Sequence, residues 1–264
     1  MAGRHQSRQV GLARALSKFG YCSRSRAFEL ICAGRVGLNG AICRRPTALV
    51  RLDRDGIEVD GKRLASATKI YLVLNKLRGT VTTASDEKGR QTVYAFLDPD
   101  LPWVAPVGRL DKASEGLLLL TNDSEWAARV LAPETHLNKT YHVEVAGIGE
   151  DLTARITQGV MVENGDRLRA KHAGILRKGG KHAWLEIVLD EGKNRHIRRM
   201  LESLGVRVLR LVRVAIGPLL LGDLPKGNCR PLTRTEKQRL DTEMKKRTYR
   251  GTHALRGSRQ PASA

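Results

Sequence analysis

The chain has 264 residues, of which 47 are Lys or Arg and 27 are Asp or Glu, for a formal net charge of +20 and an isoelectric point near 10.4. With 41% hydrophobic and 28% charged residues it has the composition of a folded chain, which excludes wholesale disorder. No apolar run approaches the roughly 18 residues of a membrane-spanning helix, and the opening MAGRHQSRQV lacks the apolar stretch and cleavage signal of a secretory leader. A cytoplasmic location without membrane contact is expected.

The charge is unevenly spread. Residues 1–63 carry a net +8, residues 64–225 a net +4 and residues 226–264 a net +8. A nearly balanced centre between two basic ends fits a working domain flanked by segments that grip a polyanion, nucleic acid first. A basic surface that serves solubility alone is the competing reading. Cys22, Cys32, Cys43 and Cys229 form no C-x-x-C pair and match no zinc spacing. They read as free thiols in a reducing compartment.

In chain order, VGLARALSKFG places Leu12, Ala15, Leu16 and Phe19 at helical spacing, with Gly20 as a stop. Ser23 can cap a second helix, SRSRAFELICAG, with Ala27, Leu30 and Ile31 on one face and an end at Gly34. RVGLNG and IEVDG read as short strands leading into Asn39-Gly40 and Asp60-Gly61 turns. Arg24, Arg26 and Arg35 edge this unit, which spans about 10–64. It could hold a phosphate backbone by shape and charge without reading bases.

A second domain is expected over 69–235. IYLVLNK reads as a buried strand, GTVTTAS as a second β-like run and VYAFL as a short helix. SEWAARVLA is helical, and KTYHVEVAG, AWLEIVLD and VLRLVRVAIG are strands. Without a regular βαβ cadence this pattern favours an α+β domain with a mixed, mainly antiparallel sheet. Residues 236–264 are polar and basic and read as a fraying helix followed by a disordered tail.

Three stretches carry candidate chemistry. In PVGRLDKASEGLLLLTND, residues 106–123, a polar loop holding Arg109, Asp111, Lys112, Ser114 and Glu115 abuts the apolar run 117–120. An anchored loop can present Asp111 rigidly, with Arg109 to orient it or bind a phosphate; a turn with a surface Arg–Asp pair is the alternative. In EGKNRHIRRMLESLG, Gly192 and Asn194 turn into a helix carrying Arg195, Arg198 and Arg199, with Met200, Leu201 and Leu204 inward. The arginines could hold RNA phosphates, one could turn inward to neutralise a carboxylate, or the run could be a solvated face. His196 alone is a weak general base. In NKTYHVEV, Tyr141 could pack in the core or, beside Lys139, lie against a base. No Walker-type or Rossmann glycine loop and no deaminase signature is present, so neither metal nor nucleotide cofactor is expected.

GRLDKASEGLLLLTND resembles the signature of the RsuA/RluB/RluE/RluF-type pseudouridine synthases, G-R-L-D-x-x-[ST]-x-G-L-L-L-L-T-N-D. YLVLNKLRG, KTYHVEV, EGKNRHIRRML and LRLVRVAIGPLLLGDLPKGNCRPLT resemble further family motifs in the same order, and SRSRAFELICAGRVGLNG resembles the core of the S4-like RNA-binding domain that precedes the catalytic domain. The resemblance covers about 10–235. Leu77 stands for the usual proline and His196 for the usual glutamine. Ser124 takes the place of a common glycine, and GLARALSKFG lacks the frequent R-L-D-K start.

The resemblance implies an enzyme that isomerises a specific uridine of ribosomal RNA, free or in a pre-ribosomal particle, with large-subunit (23S) RNA favoured over 16S. The chain would act as a monomer and without a cofactor. Asp111 would be the catalytic carboxylate and Arg109 would shape the loop and touch RNA. Tyr141 would lie against the target base, Ile187 would line the pocket, and Arg198 would pair with Asp111 and keep it ionised. Lys139, Asn194 and Arg195 would be RNA-contacting neighbours. A catalytically idle RNA-binding factor for ribosome assembly is the alternative.

Overall fold

The computed structural model describes residues 9–254 apart from Ser66, Ile148 and Glu150; over 246–254 it describes the backbone only. The chain forms two compact units, and the first takes in more than the opening segment. It comprises the described residues up to Tyr71 together with Leu97–Ala105 and Leu120–Ser124. The second holds Leu72–Phe96, Pro106–Leu119 and the described residues from Glu125 onward.

The first unit begins with β1 (Gln9–Gly11), α1 (Leu12–Lys18) and α2 (Arg24–Cys32). The expected faces are the buried ones: Leu12, Ala15 and Leu16 on α1, and Ala27, Leu30 and Ile31 on α2. Ser23 caps α2 by accepting a hydrogen bond from the Arg26 amide. β2 (Val36–Leu38), β3 (Ala41–Ile42), β5 (Ile57–Val59) and β6 (Lys62–Arg63) form a sheet in the order β3-β2-β5-β6, while β4 (Leu49–Arg51) pairs with β1. Asn39-Gly40 and Asp60-Gly61 all take positive φ, as tight hairpin turns between right-twisted strands demand. Leu16, Ile31, Val36, Val50 and Ile57 close the core.

The second unit is built on a mixed sheet with one face against helices. Its strands are β7 (Tyr71–Lys76), β8 (Ala105–Val107), β9 (Glu115–Thr121), β10 (Lys139–Ala146), β13 (His172–Lys178), β14 (His182–Leu189), β15 (Arg207–Ile216), β16 (Leu219–Leu220) and β17 (Cys229–Pro231). The main path runs β13-β14-β10-β15-β9-β7-β17, with β16 on β15 and β8 on β9. β10 is antiparallel to both β14 and β15, and β15 is parallel to β9. The helices are α3 (Ser124–Leu131), α4 (Leu152–Gln158), α5 (His196–Glu202) and α6 (Arg234–Ala254), and a small hairpin pairs β11 (Val160–Met161) with β12 (Arg167–Leu168). Val143, Val145, Leu185 and Ile187 from the strands meet Ile156 of α4 and Met200 and Leu201 of α5 in one core.

VYAFL does form a short helix, Val93–Phe96, of the 3-10 kind. Some expectations need revision. GTVTTAS is not a strand: it makes one isolated bridge, Val81 with Thr92. Its hydroxyls satisfy backbone carbonyls instead, Thr80 donating to Leu77 and Thr82 to Leu110, both at 2.8 Å. β-branched composition promised a strand, but these side chains do the work of ladder hydrogen bonds in a loop. The basic C-terminal segment is helical to Ala254, and the rest of that tail lies outside the described residues. All four cysteines are free.

Candidate active site

Residues 108–114 join β8 to β9, and β9 is buried along its whole length. Leu117 to Leu120 are fully enclosed, so the loop springs from a rigid strand. Gly116 sits at φ +99°, and a Cβ there would run into the carbonyl of Arg213 on β15. Only glycine lets the parallel strands meet this closely just beyond the loop. Glu115, 5% exposed, pairs with Arg210 and Lys226, each at 3.0 Å. Burial alone would raise its pKa, but hydrogen bonds from those two cations outweigh it and hold the carboxyl below its usual range.

Within the loop, residues 111–114 form a turn whose every carbonyl is taken. The Asp111 carbonyl accepts from the Ser114 amide at 2.9 Å and from Lys76 Nζ at 3.2 Å. The Lys112 carbonyl accepts from the Gly79 amide at 2.7 Å, and the Ala113 carbonyl from Arg198 Nη2 at 3.0 Å. The Ser114 carbonyl accepts from Lys76 Nζ at 2.9 Å. Lys76 is fully buried, and its third hydrogen bond goes to the Leu77 carbonyl. Burial pulls its pKa down to about 8 against the opposing attraction of Asp111 and Glu115. The Asp111 side chain itself has no hydrogen-bond or ion-pair partner among the described residues.

Asp111 borders a cleft of about 550 Å³ within the second unit. Five cations border the same cleft, namely Arg109, Lys139, Lys193, Arg195 and Arg213, and Asp111 is its single carboxylate. Leu189, Ile197 and Leu211 give it apolar walls, and Tyr141 presents an aromatic one. Two rows of cross-strand neighbours support it. Leu189, Lys139 and Ile216 form one; Ile187, Tyr141, Arg213 and Gly116 form the other. Between the rows β15 carries one extra residue, because Thr140 faces Ala215 while Tyr141 faces Arg213. This bulge brings Arg213 and Ile216, three residues apart, to the same face. Arg213 is 6% exposed, and its Nε donates to the Leu117 carbonyl at 2.7 Å. Burial, followed by the charge of Arg213, lowers the pKa of Lys139. On the other side of Arg109, Leu110 and Asp111 lies a second groove of about 490 Å³, walled by residues 81–90. There Arg90 grips Asp86 and holds its pKa down at about 2.

The structure thus brings Asp111, Arg109, Lys139, Tyr141, Asn194 and Arg195 to one cleft. Tyr141 packs on the core and also borders the cleft. Two expectations are corrected. Ile187 does not border the cleft: it is fully buried beside its cross-strand neighbour Tyr141, and Leu189, one pleat further along β14, borders it instead. Arg198 forms no ion pair with the Asp111 carboxylate. Its charge reaches Asp111, but its hydrogen bond goes to the Ala113 carbonyl, so it holds the turn. His196 borders the cleft but is buried, with Nε2 at 3.1 Å from the Arg169 carbonyl and a pKa lowered by burial. Arg24, Arg26 and Arg35 lie in the first unit; Arg26 pairs with Glu29 and Arg35 with Asp60. Sequence reasoning passed over two buried cations at this site, Lys76 and Arg213. Lys76 ends the largely apolar strand YLVLNK, whereas Arg213 is one of three arginines on β15 and had no signal of its own. Among the described residues no group of three His, Cys, Asp or Glu could hold a metal ion.

Residues 70–203 match the family model for RNA pseudouridylate synthase. An uncharacterized RNA pseudouridine synthase of Aquifex aeolicus is 38% identical over 234 residues, covering 86% of this chain and 92% of the relative. Ribosomal large subunit pseudouridine synthase B of Bacillus subtilis is 36% identical over 231 residues, covering 87% and 94%. A crystal structure of a pseudouridylate synthase superposes with a TM-score of 0.62 at 28% identity, over 88% of this chain and 99% of that one. A cleft with one unpaired carboxylate among cations, on a mixed and mainly antiparallel sheet, therefore sits in a chain that belongs to the RNA pseudouridine synthase family, isomerases that act on RNA.

Proposed function

We propose that this chain converts a uridine of large-subunit ribosomal RNA to pseudouridine in the cytoplasm, with Asp111 as the catalytic carboxylate. The observation that carries the reading is the cleft with a single, unpaired carboxylate on a turn held entirely through its main chain. The name of the Bacillus subtilis relative supports ribosomal RNA as substrate. So does the excess of cations at the cleft and at both ends of the chain, since a polyanion neutralises what the protein alone cannot.

The target nucleotide leaves its stack and enters the cleft, at an unstacking cost of a few kcal/mol offset by contacts to the backbone. Tyr141 lies against the uracil, and Arg109 and Lys139 face its phosphates and sugar. Asp111 acts ionised, either attacking C1′ or taking the proton from C2′. In both routes the N1–C1′ bond breaks and the detached uracil turns. C5 then bonds to C1′, as the Asp111–C1′ bond breaks in the first route or as Asp111 returns the proton to C2′ in the second, and the C5 proton is lost as N1 gains one. The reaction is neither oxidation nor reduction, and the base itself returns as nucleophile, so one carboxylate suffices where glycoside hydrolysis needs two. The first unit, as an S4-like domain over 10–64, adds grip on the RNA backbone.

Ribosomal RNA carrying uridine tritiated at C5 tests this. Tritium is released in proportion to product, and mapping of pseudouridine in RNA from cells with and without the gene locates the site. RNA binding without tritium release would make the chain an idle assembly factor instead.

A further inference from the structure

Phe28 is 55% exposed on the outer side of α2. A solitary exposed phenylalanine is commonplace, but the surroundings of this one are not. Of its neighbours one turn away, Arg24, Ser25 and Cys32 are exposed and Ile31 turns into the core. Arg24, one turn earlier, has no hydrogen-bond or ion-pair partner among the described residues. Glu29, the carboxylate beside the ring, is already matched by Arg26 at 2.8 Å. Past Cys32, the Arg44 guanidinium donates to the Cys32 carbonyl at 3.3 Å and lies close over Gly34. The stripe therefore starts at one arginine, crosses an aromatic ring, and ends at another. Tyr21, 43% exposed just before α2, is a second aromatic of this unit, within electrostatic reach of Arg35.

Two kinds of partner use an exposed ring. A protein surface needs a contiguous apolar patch of some hundreds of Å², and here polar and cationic side chains surround the ring. A nucleobase needs one aromatic face, with cations spaced for the phosphates on either side. We infer that the outer face of α2 binds an unpaired RNA nucleotide, its base stacked on Phe28 and its flanking phosphates facing Arg24 and Arg44. This rests on the reading of the chain as an RNA-modifying enzyme and deepens it. The first unit then distinguishes single-stranded from paired RNA, where charge alone would hold both.

Fluorescence anisotropy with the full chain tests this on a short single-stranded RNA and on a fully paired RNA hairpin of equal phosphate number. Phe28→Ala weakens the single strand about tenfold and the hairpin by about twofold or less, because stacking serves only unpaired bases. Its salt dependence stays unchanged, since no ionic contact is lost, whereas Arg24→Ala lowers the salt slope by about one. Phe28→Trp keeps the affinity, and its indole fluorescence is quenched by the single strand. Equal losses on both RNAs, or no loss, overturn the stacking role, and so does a Phe28→Trp variant whose fluorescence ignores the single strand. Tritium release in the same preparations reports separately on the reaction. Turnover without strand discrimination rejects Phe28 alone, and discrimination without turnover rejects the reaction alone.

Discussion

Lys76 donates a hydrogen bond to the backbone carbonyl of Asp111, not to its carboxylate. With three carbonyls to serve, the ammonium has a proton for each, and a neutral amine is one short. Its pKa of about 8 lies below the 10.5 of an unburied lysine, because burial disfavours the charge. Between those values the unfolded chain binds more protons than the folded one, so this group's contribution to stability rises as pH climbs from about 8 to 10.5. Turnover moves the other way, falling through about pH 8 as the clamp loosens. Rates and melting temperatures across this range, with Lys76→Met as comparison, check both. A wild-type rate that stays flat above pH 8 removes the clamp from catalysis.

Asp111→Asn abolishes tritium release and changes RNA affinity by less than about tenfold, because the cations of the cleft remain. A variant that keeps the wild-type rate takes Asp111 out of the chemistry.

Arg198→Met leaves the Ala113 carbonyl without its donor, which costs about 1–3 kcal/mol if the group stays buried. The turn shifts, so kcat falls by about a hundredfold, as misplacing a reacting group does, while RNA affinity holds. Arg198→Lys recovers part of the rate. A loss confined to KM would make Arg198 an RNA contact instead.

The start of α6 carries a reciprocal cap. Glu236 accepts from the Thr233 amide at 2.8 Å, Thr233 Oγ1 accepts from the Glu236 amide at 3.1 Å, and Arg230 adds two hydrogen bonds to the carboxylate. These, led by Arg230, hold the Glu236 pKa at about 2. The folded value is the depressed one, so the stabilisation is present above 4.5 and is lost as pH falls toward 2. Glu236→Gln flattens the acid limb of the melting curve over that window. Thr233→Ala lowers stability by about 1 kcal/mol at neutral pH.

Gly116→Ala destabilises the fold by well over about 1 kcal/mol, since alanine is strained at this positive φ and its methyl meets the Arg213 carbonyl. A melting temperature unchanged by the substitution would contradict the close approach of β9 and β15.

Much of this was legible beforehand, for reasons of period and punctuation. Leu12, Ala15, Leu16, Ala27, Leu30 and Ile31 repeat at helical spacing and are the buried faces of α1 and α2. Asn39-Gly40 and Asp60-Gly61 announce their turns because few other pairs tolerate two successive positive φ values. Asp111 stood out as a carboxylate beside an apolar run. What stayed hidden depended on contacts distant in sequence. Strict alternation along VLRLVRVAIG separates Arg213 from Ile216, and only the bulge opposite Thr140 and Tyr141 reunites them. The same alternation could not tell Ile187 from Leu189, which share a face of β14 and are both buried, though only Leu189 reaches the cleft. Arg198 is 85 residues from the carbonyl it holds, so its partner could not be read from its neighbours.

The turn at 111–114 owes its shape to backbone carbonyls and their donors, so the side chain at 111 is a passenger on a frame built without it. An exchange of that one side chain leaves the mould intact. The protein thereby doubles as a capture reagent: an inert version, tagged and recovered from cells, would retain its natural transcript and let sequencing name the target directly.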